Sequence, residues 1–82
     1  MSKSFPKPVR PSRQGLPVLI RNVGDAIDLV QGLPDEIRRK VTWRKAEAAL
    51  FDAEEKGSSV ALERAQEALT SALASERWLH RP

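Results

Sequence analysis

The stretch TWRKAEAALFDAEEKGSSVALERAQEALTSAL, Thr42 to Leu73, decides how this chain folds. Its apolar residues recur three and four apart, the period of one helix face. Trp43, Ala46, Ala49, Leu50 and Ala53 make a first stripe. Gly57 interrupts it, and Leu62, Ala65, Leu69, Ala72 and Leu73 make a second, extended by Leu79 and flanked by Ala61 and Ala68. Thr42 offers an N-cap for the first helix and Ser58 or Ser59 one for the second. A link this short predicts two antiparallel neighbours. Their alanine-rich faces let the axes approach towards the short end of the usual spacing. Phe51 falls off the first stripe, about 80° from Trp43 at 100° per residue.

Working outward, Pro34-Asp35-Glu36 has the chemistry of a helix start and predicts a single turn over Pro34 to Lys40. Before it, Val23, Ala26, Ile27 and Val30 define the apolar face of a three-turn helix. Asn22 is its N-cap, Asp25 sits where a negative charge suits the helix dipole, and Gly32 and Pro34 end it. Pro17 to Arg21 (PVLIR) reads as a strand, Ser12 to Gly15 as a turn, and Pro8 to Pro11 as a short edge strand around Val9. A lone hairpin is unstable in water, so helices must cover it. The predicted fold is α+β: a short N-terminal antiparallel β-hairpin followed by about three helices, the last two long and antiparallel. Residues 1–7 read as a flexible basic tail, 8–79 as one domain, and 80–82 as a C-terminal tail.

Eighty-two residues suit one small domain with a modest core. The absence of cysteine excludes disulfides, thiolate metal sites and a cysteine nucleophile, and fits a reducing cytoplasm. The N-terminus has no apolar core of a secretory signal, and no apolar run approaches the roughly 20 residues of a membrane span. A cytoplasmic location is expected. The net charge of +3 is unevenly spread. Residues 1–45 hold ten Lys/Arg against four Asp/Glu, a net +6, and residues 46–82 hold four against seven, a net −3.

Several of these pieces together resemble a known family. KPV at 7–9, the turn glycine Gly15, and IRNVGDAIDLV at 20–30 are similar to the opening of a small bacterial family named domain of unknown function 982. In that family a second strand runs straight into a helix through a small polar residue, a valine, an acid and an alanine, here Asn22, Val23, Asp25 and Ala26. Leu33-Pro34, Trp43 with Ala46, and SSVALERAQEAL at 58–69 resemble its later elements. The resemblance spans roughly residues 7–76. The chain departs from it at Arg64-Ala65-Gln66, which lacks the aromatic of the family's last helix. The resemblance implies a fold and carries no catalytic residue.

The residues themselves offer little chemistry. His80, the sole histidine, lies in the C-terminal tail, away from any partner that would make it a base or ligand. Asp25 and Asp28 are helix neighbours, but no graded series of acids accompanies them, so a solvated face is the simpler account. Ser58 and Ser59 have no histidine placed to activate them. The four glycines are scattered and form no phosphate-cradling loop. Neither cofactor nor metal is expected, and the chain reads as non-catalytic.

The arguable site is RRKVTWRK. Arg38, Arg39, Lys40, Arg44 and Lys45 could meet phosphates, with Lys3, Lys7, Arg10 and Arg13 of the N-terminal segment adding charge and Trp43 stacking on a base. Helical phase argues otherwise. Trp43 shares a face with Ala46 and Leu50, while Arg44 and Lys45 turn about 100° and 200° away. Glu47 is three residues from Arg44, close enough to neutralise it in part. Phe51 and Trp78 either pack on the hairpin or terminal turn, or form an exposed patch that marks a partner or a homodimer seam. The expected function is therefore protein–protein contact, with an unidentified protein or by self-association. The alternative is weak electrostatic nucleic-acid binding through 38–45 and the tail.

Overall fold

The computed structural model describes residues 4–11 and 19–78. The predicted turn at Ser12 to Gly15, the start of the PVLIR strand, Leu79 and His80 lie outside them. Strand β1 spans Ser4–Val9 and β2 spans Ile20–Asn22. They pair antiparallel, Ser4 opposite Asn22 and Val9 opposite Ile20, so the register is broken between the two pairs. Prolines at 6 and 8 supply no amide hydrogens, which suits such an irregular ladder. β1 begins earlier than the edge strand expected at Pro8 to Pro11. Phe5, inside the segment read as tail, is buried, as is Val9, and its apolar ring draws the strand start towards the core. β2 likewise runs one residue past Arg21.

That extra residue is Asn22, the last of β2 and the cap of helix α1, Val23–Gln31. Its backbone is extended and its Oδ1 accepts from the Asp25 amide at 2.8 Å. Strand thus passes into helix with no intervening loop. α1 buries Val23, Ala26, Leu29 and Val30. Leu29 rather than Ile27 completes the face, Ile27 being only partly covered, because the helix is packed by β2, α3 and α4 together. Gly32 closes α1 with right-handed φ of −84°. Pro34, not a left-handed glycine, therefore turns the chain.

Helix α2, Asp35–Arg38, is the expected single turn. Helix α3, Val41–Lys56, starts sooner than Thr42 capping predicts. Lys40 is the cap and its side chain makes no capping bond. The cause is α2: the Lys40 amide donates to the Ile37 carbonyl, and the Lys40 carbonyl at once accepts from the Arg44 amide at 2.9 Å. The short turn delivers the chain already aimed into α3, so Thr42 falls in its first turn.

Gly57 ends α3 with φ of 65°, the left-handed region glycine enters at least cost. Its amide donates to the Ala53 carbonyl at 2.8 Å. Ser58 then caps helix α4, Ser59–Ser75, its Oγ accepting from the Ala61 amide at 3.2 Å. α3 and α4 share the most extensive packing in the molecule; α1 lies on α3 and β1 on α4. The core is Trp43, Ile20, Leu50, Leu69, Leu73, Val23 and Val30, cemented by buried Ala26, Ala46, Ala53, Ala61, Ala65 and Ala72. Among the described residues no charged or polar side chain is buried. The sequence stripes of α3 and α4 hold, except that Ala49 and Leu62 are only partly covered and Ala61 is fully inside.

After α4 the chain makes a closing turn, Glu76 to Trp78. The Trp78 amide donates to the Leu73 carbonyl at 2.8 Å and the Arg77 amide to the Ala74 carbonyl at 3.0 Å. This is the Schellman pairing, which requires a left-handed residue. Here that residue is Arg77, at φ 61°, the only described residue other than glycine with positive φ.

Candidate functional site

The basic segment splits as its helical phase implies, and further. Trp43 is wholly buried. Its ring meets Trp78, centroids 5.9 Å apart and planes tilted by 43°. Trp78 is partly buried against the core, at the end of the helix pair. Trp43 Nε1–H has no hydrogen-bond partner among the described residues.

The cations have different fates. Arg38 Nη2 donates to Glu47 Oε2 at 3.2 Å. Glu47 is thus taken by the α2 arginine rather than by Arg44, its neighbour in sequence. Lys40 Nζ donates to both carboxylate oxygens of Glu76. Thirty-six residues separate the two, so nothing in local spacing signals the pair. The Glu76 side chain is only 11% exposed, against 52% for Lys40. Together Lys40–Glu76 and Trp43–Trp78 tie the start of α3 to the turn after α4.

Arg39, Arg44 and Lys45 are exposed and have no ion-pair partner among the described residues. Arg39 and Arg44 border an open depression of about 280 Å³ that Asp35, Arg38 and Glu47 complete. Its lining mixes three guanidinium groups with two carboxylates. Lys3, Lys7 and Arg13 fall outside what is described for side chains; Arg10 is exposed at the end of β1.

The other candidate, Phe51, is 46% exposed on α3. Among the described residues, Val41 at 64% and Val60 at 57% are the other large apolar side chains left in water. Val41 and Phe51 lie on the side of α3 away from its core stripe. Phe51 was legible in the sequence and Val41 was not, because the expected Thr42 cap leaves Val41 before the helix of which it is the first residue. Elsewhere the described residues bring no three His, Asp or Glu side chains together in a way that would hold a metal, and Asp25 and Asp28 stand exposed on α1. No described helix is long and apolar enough to cross a membrane.

The class these features define is an α+β domain: an irregular β-hairpin on a helical layer, with an exposed, partly apolar helix face. No family model, curated protein or solved structure matches the chain.

Proposed function

We propose that this is a small non-catalytic cytoplasmic protein of bacterial type that acts by binding protein through the outer face of α3. Membership of the family of unknown function that it resembles belongs to the same proposal; the passage from β2 straight into an Asn22-capped helix supports it. The observation that carries the functional reading is Phe51. An aromatic side chain buries some 150–250 Å² when packed. Here it is left half in water on a helix whose other face is fully covered. Exposed apolar groups gathered on one side of a small domain mark contact surfaces.

A photo-crosslinking residue at position 51, with a control at the exposed Arg64 of α4, tests this in the producing cell. Protein adducts from position 51 and none from position 64 are expected. Absence of any adduct at position 51 refutes the reading.

Nucleic-acid binding is the second proposal, favoured by the exposed Arg39 and Arg44 beside the depression, which have no ion-pair partner among the described residues. It is reduced by the ion pairs of Arg38 and Lys40 and by the burial of Trp43. Its test is oligonucleotide titration at about 50 and 200 mM salt, where phosphate contacts lose affinity steeply. No shift of the Arg39, Arg44 and Lys45 amides at the lower salt rules it out.

A further inference from the structure

The outer face of α3 has an order that Phe51 alone does not reveal. Val41, Arg44, Ala48, Phe51 and Glu55 are all exposed. Their intervals are three, four, three and four, so they form one ridge of heptad type. At 100° per residue the ridge is centred about 160° from the buried stripe of Trp43, Ala46, Leu50 and Ala53. α3 therefore presents two seams. One is filled by α1 and α4. The other is open along about 21 Å from Val41 to Glu55.

The open seam is self-complementary. Take a second α3 laid antiparallel across it, with the two-fold axis midway between Ala48 and Phe51. The residue numbers that meet then share a constant sum. Phe51 faces Ala48 of the second copy, large against small, and the symmetry repeats the contact. Arg44 faces Glu55 of the second copy, again twice. Neither Arg44 nor Glu55 has an ion-pair partner among the described residues of its own chain. A parallel pairing would set Arg44 against Arg44 and Glu55 against Glu55, and repel. An isologous contact requires this kind of match between a surface and itself.

We propose that this seam binds a second copy of the chain, α3 against α3, antiparallel, with Phe51 on Ala48 at the centre and Arg44–Glu55 pairs at the two ends. The proposal rests on the reading of Phe51 as a contact residue and names the partner. The seam is short, so the dimer is a weak one at the low end of interface sizes.

Sedimentation equilibrium from about 10 µM to about 2 mM protein at low salt is the test. The wild type is expected to show a concentration-dependent dimer. R44E and E55R each place like charges together twice and are expected to raise Kd about tenfold or more. F51A is expected to do the same through loss of the central contact. The decisive arm is mixing: R44E with E55R restores both ion pairs in a heterodimer, and the double variant R44E/E55R restores them in a homodimer. All three substituted positions, 44, 51 and 55, are exposed, and circular dichroism confirms that each variant keeps its helices. A monomer at every concentration overturns the proposal, while position 51 adducts to another protein would leave the contact reading standing. A dimer whose Kd is unmoved by R44E, E55R and F51A also overturns it, by placing the dimer elsewhere. Absence of recovery on mixing overturns the antiparallel register.

Discussion

Replacing Arg77 by glycine should make this protein more stable. Arg77 holds φ at 61° to close α4. In that region the side chain of an L-residue crowds the following carbonyl, at a cost of roughly 1–2 kcal/mol. Glycine escapes this cost. It also gains freedom in the unfolded chain, which takes back roughly 0.4–1 kcal/mol. The Arg77 side chain is exposed and forms none of the observed ion pairs, so little else is lost. The net expectation for R77G is a gain of about 0.5–1 kcal/mol, or roughly 2–8 °C in Tm for a domain of this size. Urea unfolding followed by tryptophan fluorescence measures it, since Trp43 and Trp78 report on this end of the molecule. R77A is the control. Alanine keeps the Cβ, so it should leave stability within about 0.5 kcal/mol of wild type. If R77G is neutral or destabilising, the closing turn does not impose the left-handed geometry and the account of its hydrogen bonds fails. If R77A gains as much as R77G, the arginine side chain and not the backbone is the source of strain.

Three further outcomes follow from the packing. Trp43→Ala should cost about 3–5 kcal/mol, a large share of the stability of a domain this small, whereas Trp43→Phe should cost clearly less because it also removes a buried N–H without an acceptor; denaturant midpoints distinguish them. Ser58→Ala should cost about 1 kcal/mol and Ser59→Ala nearly nothing, because only Ser58 accepts from the first turn of α4; equal losses would mean that the cap is misassigned. Lys40→Ala should cost about 1–2 kcal/mol by leaving the mostly buried Glu76 without its cation, while Lys56→Ala, which breaks a pair with the 45% exposed Asp52, should cost at most about 0.5 kcal/mol; thermal melts that rank them the other way refute the assignment.

Local chemistry made much of this fold legible. Asn22, Gly57 and Ser58 act within three or four residues of themselves, so their capping roles could be read from the chain. The stripes of α3 and α4 were legible for the same reason: a face that meets one large partner repeats with the helix. α1 meets β2, α3 and α4, and its buried face shifts to take in Leu29 in place of Ile27. The start of α3 escaped because α2 determines it through Lys40, and a polar residue at position 42 looks like a cap whether or not the helix has already begun. The ion pairs escaped more completely. Arg38–Glu47 and Lys40–Glu76 depend on how α2 and the closing turn sit in space, so the partner that spacing suggested, Arg44 for Glu47, was the wrong arginine. Phe5 was missed because prolines on one side and lysines on both made its segment look like tail, although a ring of that size is the strongest local reason for a strand to be held down.

Magnitudes also decide how RRKVTWRK divides between core and surface. Complete burial of Trp43 removes some 150–250 Å² from water, worth about 4–6 kcal/mol at ~25 cal/mol per Å². A domain of 82 residues has a total stability of about 4–12 kcal/mol at the usual 0.05–0.15 kcal/mol per residue. Turning the ring out to stack on a base returns roughly 1–3 kcal/mol. The exchange loses several kcal/mol and consumes much of what holds the domain together. The alanine-rich core sharpens this, because no other side chain of comparable size is available to fill the space between α3, α4 and Trp78. Nucleic-acid binding by this segment would therefore be by cations alone, and two of its five, Arg38 and Lys40, are held in ion pairs. Arg44 then has two possible uses, a phosphate beside α2 or Glu55 of a second copy. They make opposite demands on one substitution: R44E weakens both alone, but only the contact between copies is restored by adding E55R.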